Sequence, residues 1–434
     1  MLDINFIKEN LKELKKVTKD KSIKLDYELL LKLDDHRRQL IQETDLVRQR
    51  RNEIADLLKD PKKRSQKIID EGKDLKDKIY ALDQEFNKVK IEFDELMLMV
   101  PNLISKDTPL GKDDKDNKEV ATWGELPKFK FKIKDHVELG ESLDLLDINR
   151  GVKVSGFRGY YLKNEGAQMQ LALMQYTLNK LVAKGFTPFI TPTLVKEAAL
   201  IGSGHFPAGK EEIYQIGNPG KLESGEDLKD SLFLAGTSEP SLIAYHMNET
   251  LNEADLPLKY CGFSTCYRSE IGSYGKDTKG IYRLHEFMKI EQVLICRADL
   301  KEGLGLLEEL RKIAEEILQD LKLPYHVIAV CTGDMGAGKY KMYDLETWMP
   351  SRNAYSETHS DSFLTDWQAR RLNLKYKTKS GETKYAFTLN NTAIASPRIL
   401  IAIWENYQNE DGSITIPEIL RPYLGNQEKI ASQK

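Results

Sequence analysis

The chain lacks the features that mark membrane-bound and secreted proteins. No apolar run approaches the roughly 18 residues that cross a bilayer, so we expect no membrane partner. The lysine-rich, amphipathic start of the chain has neither an apolar core nor a small-residue cleavage site, so the sequence predicts no signal peptide. With 434 residues, of which 40% are apolar, the chain is long enough for two or three globular domains and at least one large core.

Cysteine is scarce, and the four that are present, Cys261, Cys266, Cys296 and Cys331, show no C-x-x-C spacing. Most fall in strand-like runs, which predicts buried reduced thiols, a cytoplasmic location and no zinc site. The common glycine-rich phosphate motifs G-x-x-x-x-G-K-(S/T) and G-x-G-x-x-G are also absent, so the usual phosphate-binding loops are excluded.

A strong excess of either charge is missing too. The net charge of −3 argues against indiscriminate nucleic-acid binding, but it leaves room for a local patch. Between positions 48 and 67 there are eight Lys or Arg and only three Asp or Glu. Such a run is either a solvated helix face or a surface for a phosphate backbone. We call the following residues the arm cluster: Arg48, Arg50, Arg51, Lys62, Lys63, Arg64 and Lys67.

Two heptad stripes surround this cluster. Apolar residues recur at seven-residue intervals from Leu33 to Ile54 and again from Ile68 to Leu96, with Pro61 between the two series. The pattern predicts two helices of about 30 residues within 26–100, folded back on each other as an antiparallel hairpin roughly 45 Å long. The stripes can pair within one chain, or they can serve dimerisation.

The remainder of the chain predicts an α+β fold. Residues 101–124 are polar and are expected to form an exposed linker. From 125 onward, strand-like runs follow one another with few helices between them, which favours an antiparallel sheet with flanking helices over a Rossmann arrangement. Helices are predicted at 165–184, ending at Gly185, and at 300–321.

The segment FSTCYRSEIGSYGKDTKGIYRLHEFMKIEQ, residues 263–292, carries the clearest chemical pattern. Arg268 and Glu270 are two apart, so on a strand they would face the same side. After the polar loop Ile271–Tyr282, the return strand presents Arg283, Phe287 and Glu291. A guanidinium, an acid and an aromatic ring can hold a nucleotide triphosphate, although a basic hairpin can equally be a plain solvated surface.

This segment resembles motif 2 of class II aminoacyl-tRNA synthetases in the form found in seryl-tRNA synthetases, F-x-x-C-(Y/F)-R-S-E, a Gly-rich loop and R-(V/L)-H-(Q/E)-F-x-K-(V/I)-E. The similarity continues in family order through the helical arm, VKVSGFRGYYL, the motif-1 segment Gly185–Pro192 and the motif-3 segment TLNNTAIASPRIL. It implies ATP-dependent ligation of L-serine to serine tRNA through a seryl-adenylate, with release of AMP and diphosphate. It further implies charging of tRNA(Sec) where that tRNA exists.

The resemblance also implies an organisation: a tRNA-binding domain at 1–100 with a coiled-coil arm, a linker at 101–124, a catalytic domain at 125–434 and a homodimer. Within motif 2, Arg268 would bridge the serine carboxylate and the α-phosphate of ATP, and Ser269 and Glu270 would adjoin the nucleotide. The same resemblance assigns Arg283 to phosphate, Leu284 and Phe287 to adenine, and Glu291 to the serine ammonium.

Three further elements carry site residues by resemblance. Thr237, Ser238 and Glu239 match a loop that lines the serine pocket, although Thr or Ser followed by Glu is also a helix-capping pattern. The ATP-binding element comprises Glu357, Thr358, His359 and Ser360. Within it, Glu357 and Ser360 would hold ATP-bound Mg²⁺. His359 and Asp361 stand where the family commonly has Ser and Cys, and His359 is interpreted as a polar substitution.

Motif 3 supplies the last predicted residues. Asn390 and Thr392 match positions near the serine hydroxyl, and Arg398 matches the arginine that clamps the γ-phosphate. Glycines are common in the family where this chain has Asn391, Ala393 and Pro397, so the junction differs in detail. Arg268, Glu357 and Arg398 are the predicted catalytic residues. Two alternatives stay open: a ligase that loads an amino acid onto a carrier protein, and a non-catalytic coiled-coil binding protein.

Overall fold

The computed structural model describes residues 1–218, 220–226, 230–271 and 279–432. The chain divides into two compact units, Met1–Pro101 and Asn102–Lys434. Within the described ranges, no helix has the length and apolar character needed to cross a membrane.

The first unit is helical. Its helices are α1 Ile4–Glu9, α2 Leu11–Asp20, α3 Tyr27–Lys59 and α4 Gln66–Met99. The two long helices are separated where Pro61 predicted a break, and Ser65 caps α4 by accepting a hydrogen bond from the backbone of Ile68. Residues of both heptad stripes, such as Val47, Ile54, Leu82 and Val89, are buried. The hairpin therefore buries these stripes within a single chain.

The second unit has helices on both sides of a large sheet. Its helices are α5 His136–Ser142, α6 Ile148–Ser155, α7 Asn164–Ala183, α8 Glu197–Ser203, α9 Glu239–Ala244, α10 Leu300–Asp320, α11 Trp367–Leu372 and α12 Arg398–Asn406. Its strands are β1 Lys118–Trp123, β2 Leu146–Asp147, β3 Tyr161–Leu162, β4 Thr187–Ile190, β5 Leu194–Lys196, β6 Leu232–Leu234, β7 Thr250–Asn252, β8 Leu258–Tyr267, β9 Glu286–Cys296, β10 Tyr325–Ala329, β11 Lys341–Met349, β12 Ala354–Thr365, β13 Lys375–Lys377, β14 Thr383–Tyr385, β15 Phe387–Ser396, β16 Ile414–Thr415 and β17 Lys429–Ile430.

Among the described residues, eight strands form the main sheet in the order β1-β10-β11-β12-β15-β9-β8-β4. Every neighbouring pair is antiparallel except β4 and β8. The predicted α+β fold with an antiparallel sheet is thus confirmed. The helix predicted before Gly185 is also present, and Gly185 takes φ 86°, the left-handed conformation that ends helices.

The expectation of an exposed loop throughout 101–124 is wrong for its last part. Lys118–Trp123 forms β1, which pairs with β10 at one edge of the main sheet. The side chain of Asn102 is already buried, and it donates to the backbone oxygens of Gly338 and Leu364. Partners more than 200 residues away supply the order that the local polar composition did not indicate.

Candidate active site

Glu357 and Ser360 are three residues apart, yet they lie on the same side of the sheet because β12 contains a bulge. Residues three apart on a regular strand face opposite sides of the sheet. Here Glu357 lies opposite Glu346 and Ser360 lies opposite Asp344, with a register shift between the two pairs. Glu346 and Asp344 are two apart on β11, so they share a face. The extra residue in β12 therefore brings Glu357 and Ser360 to the same side of the sheet.

Arg268 and Glu270 lie beyond the strand on which they were expected. Strand β8 ends at Tyr267, and Glu270 has a left-handed backbone with φ 54°, which breaks the ladder. Strand alternation is therefore the wrong reason for placing them together. Both nevertheless line one cleft, in which the Arg268 guanidinium lies 5.3 Å from the centroid of the Phe287 ring. The Arg268 Nε also points to the backbone oxygen of Gly236, at 3.4 Å.

This cleft spans about 520 Å³ of space that is partly open to solvent, and it brings together residues from three sequence-distant motifs. The predicted residues that line it are Arg268, Glu270, Arg283, Leu284, Phe287, Glu357, Thr358, Thr392 and Arg398. Ser269 does not line it, since its hydroxyl donates to the backbone oxygen of Glu211 at 2.8 Å. The cleft combines cations, the aromatic rings of Tyr282 and Phe287, and the exposed carboxylate of Glu357, which suits a nucleotide polyphosphate.

One cation of the cleft is tied to a carboxylate. Arg283 Nη1 lies 2.8 Å from Glu270 Oε2, and Arg158 Nη1 lies 3.9 Å from the same oxygen. The side chains of Arg158 and Glu270 are 4% and 9% exposed, so this acid is held between two guanidiniums in a largely dry place. Arg158 was not predicted, although its position in VKVSGFRGYYL belonged to the segment of family similarity.

The Thr237–Ser238–Glu239 loop lies beside the cleft as part of a buried network. Glu239 Oε1 accepts hydrogen bonds from Asn390 Nδ2 at 2.8 Å and from Gln368 Nε2 at 2.6 Å. Ser238 donates instead to the backbone oxygen of Gly262. Ser238 is the N-cap of α9 but makes no side-chain capping bond, whereas Thr237 Oγ1 accepts from the backbone N–H of Glu239 at 3.4 Å and so contributes to the start of the helix. Gln368 is a member of this network that sequence reasoning missed.

Glu291 is buried and already carries a cation. Its Oε2 is paired with Lys289 Nζ, and both side chains are nearly inaccessible to solvent, 3% and 6% exposed. Thr392 Oγ1 lies 3.5 Å from the same oxygen. Burial raises the pKa of Glu291, and Lys289 opposes that shift. Lys289 was not predicted, although the lysine of the family pattern F-x-K-(V/I)-E, two residues before Glu291, was the available signal.

Arg398 lies at the other end of the cleft, as the first residue of α12. It donates to the backbone oxygens of Tyr282 and Glu357, at 3.2 and 2.9 Å, and its Nη1 is 3.5 Å from the Glu357 carboxylate. Its guanidinium also lies 4.5 Å from the centroid of the Tyr282 ring. The prediction that Arg398 opens this helix is therefore confirmed by the structure, with Pro397 just before it.

His359 points away from the cleft. Its Nδ1 is 2.9 Å from Thr358 Oγ1, and its Nε2 is 3.1 Å from the backbone oxygen of Ala393. Burial lowers the pKa of His359 to about 4, so the ring is neutral near pH 7. Its side chain supports the strand and, with both nitrogens engaged, is not placed to contact a nucleotide.

Asp344 is an acid near the predicted metal pair that sequence reasoning missed. It is buried on β11, and Ser360 forms a side-chain hydrogen bond to it. Burial, with repulsion from Glu357, raises the pKa of Asp344 well above its usual value. Its Oδ1 has no hydrogen-bond partner among the described residues. Across those same residues, no cluster of three or more His, Cys, Asp or Glu could hold a metal by protein ligands alone.

The arm cluster lies in the first unit, and some of its cations contact acidic or amide side chains while others are exposed. Arg48 bonds Asp83, and Arg50 bonds Glu53 and Glu71, so these two arginines join α3 to α4. Arg51 contacts Asn52, and Lys63 lies 3.9 Å from Asp60. Lys62, Arg64 and Lys67 are exposed near the connection between the helices. Of the predicted polar loop Ile271–Tyr282, positions 272–278 lie outside the described residues.

Comparisons with known proteins point in one direction. A family model described as "Seryl-tRNA synthetase N-terminal domain" matches residues 1–104, and "tRNA synthetase class II core domain (G, H, P, S and T)" matches residues 221–407. The serine–tRNA ligase of Deinococcus radiodurans is 44% identical over 99% of the chain and 98% of its own length. The serine–tRNA ligase of Treponema denticola is 43% identical over 98% of the chain and 99% of its own length.

Solved structures agree with these sequence matches. Seryl-tRNA synthetase from Pyrococcus horikoshii, complexed with ATP, superposes with a TM-score of 0.86 at 36% identity and covers 100% of both chains. Cytoplasmic serine–tRNA ligase from Naegleria fowleri, in complex with AMP, gives a TM-score of 0.83 at 29% identity and covers 100% of this chain and 99% of its own.

Proposed function

The chain belongs to the seryl-tRNA synthetase family, and on that premise we propose how its residues charge serine tRNA. The protein is a serine–tRNA ligase with a class II core and uses ATP as substrate. Serine is first joined to AMP with release of diphosphate, and the seryl group then passes to the terminal hydroxyl of the tRNA. Neither step requires a side-chain nucleophile. The site must bring two anions together and offset their charge.

Arg268 is the residue on which this proposal depends most. It lies between the Phe287 ring and Gly236, at the junction of the cleft and the buried acid network. A guanidinium there can donate hydrogen bonds to both the serine carboxylate and the α-phosphate. Phe287 then stacks on adenine, with Leu284 and Glu270 at the adenosine end.

The serine pocket is formed by the acid network beside Arg268. Glu291 holds the ammonium, as its burial and its present cation Lys289 support. Glu239, Asn390, Thr237 and Thr392 surround the serine hydroxyl. Because buried polar groups lose their partner when the substrate lacks a hydroxyl, such a pocket rejects alanine strongly.

The phosphate end of the cleft combines cations and oxygen ligands. We assign Arg283 and Arg398 to phosphate, and Glu357 and Ser360 to ATP-bound Mg²⁺. The residues fit this ion, since Glu357 is exposed, Ser360 shares its face, and Asp344 has an unpartnered oxygen beside them. When bound, Mg²⁺ would offset phosphate charge. The chain's own residues position the ligands: Arg398 contacts the Glu357 carboxylate, and the bulge in β12 places Ser360 on the same side of the sheet as Glu357.

Substitution of Arg268 tests the proposed function. Arg268→Ala should lower serine-dependent ATP–pyrophosphate exchange by at least about 100-fold, because the lost contact stabilises developing charge. Arg297→Ala is the matched control, since Arg297 pairs with Glu302 outside the cleft. Normal exchange by Arg268→Ala would remove Arg268 from the proposed role.

The first unit is proposed as the tRNA-binding part and 125–434 as the catalytic part. The arm cluster supplies cations that replace counterions along an RNA backbone, and the arm gives them a stiff support. We assign them to the long variable arm of serine tRNA and extend the activity to tRNA(Sec) where it exists. The full-length hairpin disfavours a carrier-protein ligase, and the assembled cleft disfavours a purely non-catalytic role.

A homodimer is proposed from an exposed apolar face of the second unit. Strand β4 is one edge of the main sheet, and its Ile190 is 88% exposed. Nearby, Leu171 and Tyr423 line an open groove of about 1300 Å³. Contiguous apolar surface of this kind on a sheet edge marks an interface, and a second copy of this chain would cover it. A cytoplasmic location is proposed because all four cysteines are free and buried.

A further inference from the structure

The Tyr282 ring carries two guanidiniums at the phosphate end of the cleft. The Cζ of Arg398 lies 4.5 Å from the ring centroid, and the Cζ of Arg352 lies 3.9 Å from it. Tyr282 and Arg398 line the cleft beside Glu357, and the Tyr282 hydroxyl donates to the backbone oxygen of Glu357 at 3.4 Å. Two like charges gathered on one ring favour an anionic ligand nearby.

Arg352 is held in place by the same helix that begins with Arg398. It ends the 3₁₀ turn Pro350–Arg352, which connects β11 to β12. Ser351 in this turn donates through its backbone and its hydroxyl to Glu405, at 2.9 and 2.8 Å. Glu405 is fully buried on α12, whose first residue is Arg398. The turn that carries Arg352 is therefore anchored before any ligand arrives.

The side chain of Arg352 lies over the Tyr282 ring and reaches the residue that precedes Glu357. Its Nη1 lies 3.4 Å from Ser356 Oγ, and Ser356 immediately precedes Glu357 on β12. Arg283, the other cation assigned to phosphate together with Arg398, lies 2.8 Å from the Glu270 carboxylate. Arg352 is thus a cation beside Arg398 that can complete a site for two phosphate groups.

We propose that Arg352, together with Arg398, binds the β- and γ-phosphates of ATP and hence the diphosphate product. This inference rests on the proposed function and assigns to its phosphate site a residue beyond those considered above. The planar guanidinium meets phosphate oxygens in a fixed fork, which a lysine ammonium does not reproduce.

The test compares ligands that contain or lack the outer phosphates. Arg352→Ala and Arg352→Gln are measured in serine-dependent ATP–pyrophosphate exchange, with Arg150→Ala as a control because Arg150 pairs with Asp147 on an exposed helix. Binding of a seryl-adenylate analogue, in which a sulfamate replaces the phosphate, is measured by calorimetry. The KM values for ATP and pyrophosphate should rise about tenfold, while the analogue affinity stays within about twofold.

Arg352→Lys keeps the positive charge but removes the planar guanidinium, so it should recover only part of the affinity for ATP and pyrophosphate that Arg352→Ala loses. An equal loss of ATP and analogue binding would show that Arg352 acts by supporting the fold of the cleft, and it would overturn the assignment. An unchanged KM for pyrophosphate in Arg352→Ala would also overturn it. If the unmodified protein showed no serine-dependent exchange, the proposed function itself would fail, which is a distinguishable outcome.

Discussion

The buried pair Lys289–Glu291 allows the stability and the substrate role of one residue to be measured separately. Its two side chains are 6% and 3% exposed, so solvent screens the pair very little. Removing one partner of a buried ion pair costs about 3–5 kcal/mol, because the remaining charge is left uncompensated. We therefore expect Glu291→Gln to lower the free energy of unfolding by about 3 kcal/mol. The double variant Lys289→Met/Glu291→Gln should recover most of that loss, since neither charge remains.

The KM for serine should stay raised in the double variant, even though its stability recovers. A charge-assisted hydrogen bond to the serine ammonium contributes about 2–3 kcal/mol, so the KM for serine should rise roughly 30- to 150-fold in both Glu291 variants. Urea unfolding measures the stability, and pyrophosphate exchange at varied serine concentrations measures the KM. The exposed pair Lys322–Glu418 provides a matched control, Lys322→Met/Glu418→Gln, which should change neither quantity appreciably.

Two results would refute this reasoning. A serine KM in the double variant equal to that of the unmodified protein would remove Glu291 from the ammonium site. A Glu291→Gln variant as stable as the double variant would show that the pair is not a buried, mutually compensated one.

Three other predictions address the arm, the apolar face and pH. Replacing Lys62, Lys63 and Arg64 by Gln should weaken tRNA binding and reduce the slope of log affinity against log salt concentration by up to about three units. Replacing Lys128, Lys130 and Lys132 by Gln is the control and should leave this slope unchanged. An unaltered slope in the first variant would place the tRNA contacts elsewhere. Ile190→Asp should shift sedimentation from dimer to monomer; a persistent dimer would locate the interface on another surface. Burial lowers the pKa of His326, but hydrogen bonds to Glu346 and Glu119 outweigh that effect and leave the pKa raised above 6.5. The contribution of His326 to stability is therefore complete below pH 6.5 and is lost as the pH rises through the raised pKa. His326→Gln should then make the melting temperature less dependent on pH between pH 6.5 and the raised pKa. An unchanged dependence of melting temperature on pH would contradict this.

Long-range periodicity and motif spacing predicted the larger features. The heptad pattern predicted the helical hairpin, because apolar side chains seven residues apart share one helix face. The family motifs predicted nine of the residues that line the cleft, although strand alternation was the wrong reason for Arg268 and Glu270.

Several details could not be predicted because they depend on distant partners. Strand β1 is polar and reads as a loop until β10 supplies its hydrogen bonds. The bulge that turns Glu357 and Ser360 to one face is a property of the pairing with β11, not of the local sequence. Asp344 acquires its role through Ser360, which lies on the neighbouring strand β12.

The most direct test of the central claim is amino-acid-dependent ATP–pyrophosphate exchange by the unmodified protein, followed by charging of serine tRNA. We expect serine to drive exchange, alanine to drive almost none, and serine to be transferred to serine tRNA. Absence of exchange with serine would contradict the account. Exchange with serine but no transfer to tRNA would contradict the assigned acceptor and favour a carrier-protein ligase.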